Sequence, residues 1–173
     1  AQKLLELGKA DTIKPEHELV DISQTVGRVY KMLVPLASAK RIRLTCEMEP
    51  SCMVLSAEDD MYQIFFNLVE NAIKYNSENG QVHIRMGKED DDVVVNVEDT
   101  GIGIPENAKP HIFERFYRVD KARSRQAGGS GLGLSIVGDL VSRNLGQIEV
   151  SDRQGGGTCF TVRFPLFEAE VEQ

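Results

Sequence analysis

The chain has 173 residues, a formal net charge of −7 and three cysteines, which is length enough for one domain with a short appendage and a core that buries about 70% of the unfolded surface. The acidic balance argues against a general nucleic-acid or bilayer surface, which needs clustered Lys and Arg. The odd set Cys46, Cys52 and Cys159 lacks CxxC or Cys/His spacing, which speaks for reduced thiols rather than a disulfide framework or a zinc site.

Residues 1–13 carry Leu4, Leu5 and Leu7 among charges, which suits the tail of a helix whose partner lies outside this chain, and Lys14-Pro15 breaks it. From Asp21 to Ala39 the positions Ile22, Val26, Val29, Met32, Leu33 and Leu36 recur at three- and four-residue spacing. They predict an amphipathic helix in which Pro35 signals a kink or an early end. Arg41 to Met48 then alternates, with Ile42, Leu44 and Cys46 on one face of a strand. A second helix opens near Ser56, Asp59 or Asp60 and runs to Tyr75, with Met61, Ile64, Phe65, Leu68, Ala72 and Tyr75 on its apolar stripe. Its other face lines up Asn67, Glu70, Asn71 and Lys74 at i, i+3, i+4 and i+7. Asn competes for backbone hydrogen bonds inside helices, so two on one stripe point to something coordinated there. An ordinary solvated face with a Glu70–Lys74 pair accounts for the same residues.

Gln81 to Lys88 and Val93 to Glu98 read as a hairpin around the acidic turn EDDD. The second strand runs into Asp99-Thr100-Gly101-Ile102-Gly103-Ile104-Pro105, which puts a carboxylate beside backbone that a flat ring can approach; a plain turn explains the glycines equally well. In PHIFERFY, from Pro110 to Tyr117, Phe113 and Phe116 are expected to anchor a short helical turn in the core. Residues 120–144, DKARSRQAGGSGLGLSIVGDLVSRN, change from a charged, glycine-rich run into an amphipathic helix. The unpaired N–H groups at such a helix start carry the positive end of its dipole. Gly128, Gly129, Gly131 and Gly133 lie at that start, with Arg118, Lys121, Arg123 and Arg125 upstream. A polyphosphate is the natural ligand, and a solvated surface loop is the other reading. The helix spans Leu132 to Leu145, with Leu134, Ile136, Val137, Leu140 and Val141 inward and Gly146 ending it. Gln147 to Ser151 and Thr158 to Phe164 form a closing strand pair around Gly155-Gly156-Gly157.

Four segments thus stand in one order: NLVENAIKY at 67–75, DTGIGI at 99–104, FERFYRVD at 113–120 and GGSGLGLSIV at 128–137. This arrangement resembles the catalytic ATP-binding domain of bacterial two-component sensor histidine kinases, within the superfamily that also holds gyrase and the heat-shock chaperone and mismatch-repair ATPases. The stretch FYRVDKARSRQAGGSGLGLSIV separates the kinases from those cousins. The match covers residues 15–167, leaving 1–14 as a remnant of a dimerisation hairpin's second helix with its linker, and 168–173 as an acidic tail. The implied fold is an α/β (α+β) two-layer sandwich, a mixed, largely antiparallel sheet of about five strands packed on three helices, with a mobile ATP lid.

The same resemblance implies roles for individual residues. Asn71, helped by Asn67, would ligate Mg²⁺ through amide oxygen, with ATP phosphates supplying most other ligands. Lys74 would neutralise phosphate charge and Tyr75 would flank the nucleotide. Glu70 matches a common family residue, either as a polariser of a reacting group or as part of the site's shape. Asp99 would accept a hydrogen bond from the adenine amine, which guanine cannot offer. Gly101 and Gly103 would let backbone approach the base, and Thr158 would reach it through water. Ile104, Tyr117 and Leu134 would line the site. Arg118 to Ser130, with Gly129, would form the lid, and Arg118 would act on the γ-phosphate. Gly131, Leu132 and Gly133 would open the phosphate-binding helix. It is not a Walker loop, since no GK[ST] follows the glycines.

The family phosphorylates a histidine within a motif of the type HELRTP on a separate helical hairpin. Here His17-Glu18-Leu19 continues as Val20-Asp21, while His83 and His111 have no such context. The expected chain is therefore a catalytic domain without its acceptor. Its implied partners are its own dimerisation and phosphoacceptor hairpin and a response-regulator receiver domain, with no nucleic acid. The isolated domain would be a monomer, the full-length kinase a homodimer, and the domain cytoplasmic in a membrane-anchored protein. A degenerate regulatory module that binds nucleotide without transfer, or a chaperone- or topoisomerase-like ATPase, are the competing functions.

Overall fold

The computed structural model describes residues 17–117 and 133–168. Strand β1 (Glu18–Asp21) leads into helix α1 (Ile22–Ala39), followed by β2 (Arg43–Met48), β3 (Met53–Ser56) and helix α2 (Glu58–Lys74). Then come β4 (Gln81–Glu89), β5 (Asp92–Asp99), a 3₁₀ turn (Lys109–His111), helix α3 (Gly133–Arg143), β6 (Gln147–Asp152) and β7 (Thr158–Pro165). Five strands form one sheet in the order β2-β4-β5-β7-β6. Only the β2–β4 pair in it is parallel. Three helices cover one face, which gives the expected two-layer sandwich with a mixed, largely antiparallel sheet.

Strand alternation makes the core. Val82, Ile84 and Met86 of β4, Val93, Val95 and Val97 of β5, and Phe160, Val162 and Phe164 of β7 are buried against the helices. His83, Arg85, Asn96, Glu98, Thr161 and Arg163 alternate with them on the other face. Each fully buried Val, Ile or Phe contributes about 1.5–3 kcal/mol. From α1 come Ile22, Val26, Val29 and Leu33, and from α2 come Met61, Ile64, Phe65 and Leu68. Among the described residues no helix is long and apolar enough to cross a membrane.

Several expectations change. The two-stranded antiparallel sheet of β1 and β3 was invisible as a pattern because each strand has four residues; buried Val20 and Val54 hold it to the core. Helix α1 runs through Pro35 to Ala39. Pro35 and Lys31 both lie on the exposed side, so water can reach the carbonyl that the proline leaves unbonded. Of the apolar stripe expected on α1, Met32 is 61% and Leu36 36% exposed, and Ala37 is buried instead. Phe113 is a core anchor, edge-on to Phe160 at 6.2 Å, but Phe116 is 70% exposed with φ +64°, so that expectation fails for it.

Helix α3 ends through Leu145 rather than Gly146. Leu145 takes the left-handed conformation, φ +63°, while Gly146 N donates to Val141 O at 2.9 Å, closing the helix in a Schellman arrangement. Gly146 is small for another reason, since a Cβ there would come within 2.5 Å of the Phe164 ring. Expectations placed on residues 1–14, and on Arg118, Gly129, Ser130, Gly131 and Leu132 with the rest of the lid, lie outside the described residues.

Candidate functional site

The best-defined polar feature is the C-terminal end of β5. Asp99 pairs in register with Val82 on one side and Thr158 on the other, and it is 7% exposed. Its Oδ1 accepts from Gly101 N at 2.9 Å. Burial pushes the Asp99 carboxyl above its ordinary value, while the backbone N–H groups of Gly101 and Thr158 and the charge of Arg153 pull the other way. The result is an under-solvated acceptor that gains from a further donor.

Glycines permit this arrangement. A Cβ on Gly157, which has φ +104°, would lie 1.9 Å from the Asp99 carbonyl oxygen, and one on Gly101 would lie 2.5 Å from the Tyr75 carbonyl oxygen. Gly103 is required by its own φ of +74°. The turn after Asp99 is thereby pressed against the end of α2, where Tyr75 is the C-cap. Side chains tie the same junction. Thr100 Oγ1 accepts from Gln81 N at 2.8 Å and donates to Asn76 Oδ1 at 3.2 Å, and Asn76 Nδ2 donates to Gln81 O at 2.8 Å. Lys40 Nζ reaches across from the end of α1 to cap the Ile73 and Lys74 carbonyls at 3.0 and 2.9 Å. Nothing in the sequence announced Lys40, because it acts on backbone 33 and 34 residues further along the chain.

Helix α2 carries the stripe upstream of this junction. Asn67, Glu70, Asn71 and Lys74 are all half-buried, and Lys74 Nζ lies 3.3 Å from Glu70 Oε1. From Asn67 to Tyr75 the stripe extends about 12 Å along the helix. Among the described residues the amides of Asn67 and Asn71 have no hydrogen-bond partner, so their oxygens are available to a ligand. No group of three or more His, Cys, Asp or Glu among those residues could hold a metal. A cation beside the amides would therefore draw most of its ligands from a bound molecule, which fits Mg²⁺ carried on phosphates.

Helix α3 packs along α2, and at its start a Cβ on Gly133 would meet nothing within 4 Å. Leu134 and Ile104 are half-buried against the core. Tyr117 is half-buried as well, with its ring 5.5 Å from that of His111. Thr158, 4% exposed, lies beside Asp99 across the strand pair. The fold thus joins Tyr75, Asp99, Gly101 and Thr158 directly and sets Asn67, Glu70, Asn71 and Lys74 along the adjoining helix. Of the histidines, His83 is bonded to Thr45 Oγ1 at 2.6 Å on the sheet face away from the helices, and His111 is paired with Glu114 at 2.8 Å.

A family model described as "Histidine kinase-, DNA gyrase B-, and HSP90-like ATPase" matches residues 56–168. The sensor histidine kinase RppB of Synechocystis sp. is 32% identical over 169 residues, 97% of this chain and 37% of that protein. The phosphate regulon sensor protein PhoR of Pseudomonas aeruginosa is 36% identical over 139 residues, 80% of this chain and 31% of that protein. The chain therefore spans about a third of the length of these curated relatives. Among solved structures, the catalytic domain of histidine kinase ThkA superposes with TM-score 0.78 at 27% identity, covering 88% of this chain and 97% of that one. Full-length ShkA in complex with AMPPNP superposes with TM-score 0.76 at 30% identity, covering 92% of this chain and 33% of that one.

Proposed function

The chain belongs to the family of histidine kinase-, DNA gyrase B- and HSP90-like ATPases, as a catalytic domain of the sensor histidine kinase type, and from this premise we propose that it binds Mg-ATP and donates the γ-phosphoryl group to a histidine on a separate helical hairpin. The observation that carries the reading is Asp99, a buried carboxylate held between glycine backbones and pushed above its ordinary pKa by burial, next to a helix whose two amides have no partner among the described residues.

Asp99 takes the adenine amine, with Thr158, Gly101, Gly103 and Ile104 around the base and Tyr75 and Tyr117 flanking the nucleotide. Asn71 and Asn67 offer amide oxygens to Mg²⁺, and Lys74 offers charge to the phosphates, with Glu70 holding its ammonium in place. Bound there, Mg²⁺ would neutralise phosphate charge as the transfer proceeds. The first turn of α3, at Gly133 and Leu134, and residues 118–132 with Arg118, Gly129, Ser130, Gly131 and Leu132 surround the γ-phosphate in this reading. The acceptor imidazole nitrogen attacks the γ-phosphorus, the bond from that phosphorus to the bridging oxygen breaks, and ADP leaves with the electron pair. In-line positioning and charge neutralisation supply the rate. The receiver domain of a response regulator is the expected next acceptor.

The experiment incubates the chain and labelled ATP with a separately made acceptor hairpin from the same parent kinase, beside an Asn71→Ala variant. Phosphohistidine should form on the hairpin with the wild type, and at least tenfold more slowly with the variant. Nucleotide binding with no histidine phosphorylation would refute the kinase reading and leave a nucleotide-binding regulatory module; hydrolysis independent of the hairpin would favour a chaperone-like ATPase.

A further inference from the structure

At the end of α2 away from Asp99, the described chain holds a second buried polar cluster that the proposed reaction leaves unused. The N-cap of α2 is Ala57, in extended conformation with φ −91° and ψ 121°, and it has no side-chain cap. Its N–H is taken from another helix, by Asn144 Oδ1 at 3.0 Å. Asn144 Nδ2 donates to Asp60 Oδ2 at 2.9 Å and to Leu140 O at 2.8 Å. Arg143 completes the set, with Nη2 donating to Asp60 Oδ1 at 2.7 Å and Nε to Asp60 Oδ2 at 3.2 Å. Asn144 is 1% and Asp60 8% exposed.

In a capping box the third helical residue reaches back to the N-cap N–H. Asp60 occupies that position on α2 but is turned toward Arg143 and Asn144, and Asn144 takes over its bond to Ala57. The end of α3 thus completes the start of α2. The amide of Asn144 has both donors and its acceptor satisfied, so sliding α3 along α2 would strip several buried groups of their partners at once. One helix carries Asn67 and Asn71; the other opens at Gly133 and Leu134.

We propose that Asn144 and Asp60 are positioning residues for nucleotide binding: their tie fixes the offset between α2 and α3, and hence the separation of the amide stripe from the first turn of α3. This rests on the nucleotide reading of that site. It differs from a simple contribution to stability, because the effect is carried along two helices to positions remote from the tie. Asp60 and Tyr75, at opposite ends of α2, are about 22 Å apart along the helix axis.

Two variants separate the accounts. Asn144→Ala removes the tie and leaves the Ala57 N–H unpaired. Ala57→Ser combined with Asn144→Ala gives α2 a cap of its own and lets Asp60 return to the N-cap N–H, without restoring any link to Asn144. The single variant should lose stability and bind ADP at least fivefold more weakly. The double variant should recover most of the melting temperature while its ADP affinity stays at least fivefold down. In the nucleotide-free double variant the amide NMR signals of Asn67, Asn71, Gly133 and Leu134 should remain displaced. Affinity that returns with stability, or signals at wild-type positions, would overturn the proposal and leave Asn144 a structural residue only. A wild type that binds no nucleotide would refute the proposed function instead, and the NMR signals would still decide the tie. Arg143→Gln, at a side chain 49% exposed, provides a milder variant with the same expected shifts and the same overturning result if the alanine variants do not fold.

Discussion

At the residue scale the sharpest conflict lies in Asp99, a carboxylate that burial pushes above its ordinary pKa. Between the ordinary and the folded value, the folded chain binds more protons than the unfolded chain. The raised pKa therefore adds stability at low pH that is lost as pH rises through that window, leaving the full penalty at neutral pH. Asp99→Asn removes the charge but keeps an acceptor for Gly101 N–H. At pH 7.5 the nucleotide-free variant should melt no lower than wild type in calorimetry, and the difference between the two should shrink as pH falls toward the carboxylate range. Its ATP affinity, by titration calorimetry, should fall about tenfold or more through loss of a charge-assisted bond to the adenine amine. Cys46 is shifted in the same direction, half-buried and beside Glu47, with its thiol pushed up to about 11 by partial burial and by that neighbouring charge. Iodoacetamide labelling followed by mass spectrometry should find it slower than an exposed cysteine at pH 7.5, and accelerating only above about pH 10. Residue types and spacing singled out Asp99 and the amide stripe in advance. They gave no hint that Gly157, rather than Gly103, makes the closest approach to Asp99, because that contact joins two strands.

At the element scale, hydrophobic period located the helices and central strands to within a few residues, since α2 and α3 each put one continuous apolar stripe against one sheet face. Period alone misjudged where α1 meets solvent, and the C-terminus of α3 shows why glycine is an ambiguous stop signal. Leu145 holds a left-handed backbone at 56% exposure. Leu145→Gly should raise stability by about 1 kcal/mol in urea unfolding by relieving that conformation. The neighbouring Gly146→Ala should lower it by about 1–3 kcal/mol, because its Cβ would meet the Phe164 ring at 2.5 Å. Equal effects at the two positions would contradict this division of labour.

At the scale of the whole molecule, α2 is tied at both ends, to the turn after β5 and to the end of α1 through Tyr75, Asn76 and Lys40, and to α3 through Asn144 and Asp60. A ligand spanning that layer should stabilise the fold as a unit. Mg-ATP at a hundred times its dissociation constant should add about 2.7 kcal/mol to unfolding in one cooperative transition, and Asn71→Ala should need proportionately more nucleotide for the same shift. A local stabilisation confined to α3 in hydrogen exchange would contradict this. The sequence by itself determined the main helices and central strands and the order of the four segments, because alternation, helical period and glycine placement are local properties of the chain, and the layer architecture followed from the family those segments resemble. It also determined the charge types of the site, since amides, carboxylate and lysine lie within single elements. Only the tertiary structure decided which groups are under-solvated, which glycines are compressed and that α3 caps α2. Those outcomes depend on atoms brought together from distant positions, 87 residues apart for Ala57 and Asn144, and burial and hydrogen-bond satisfaction have no local signature.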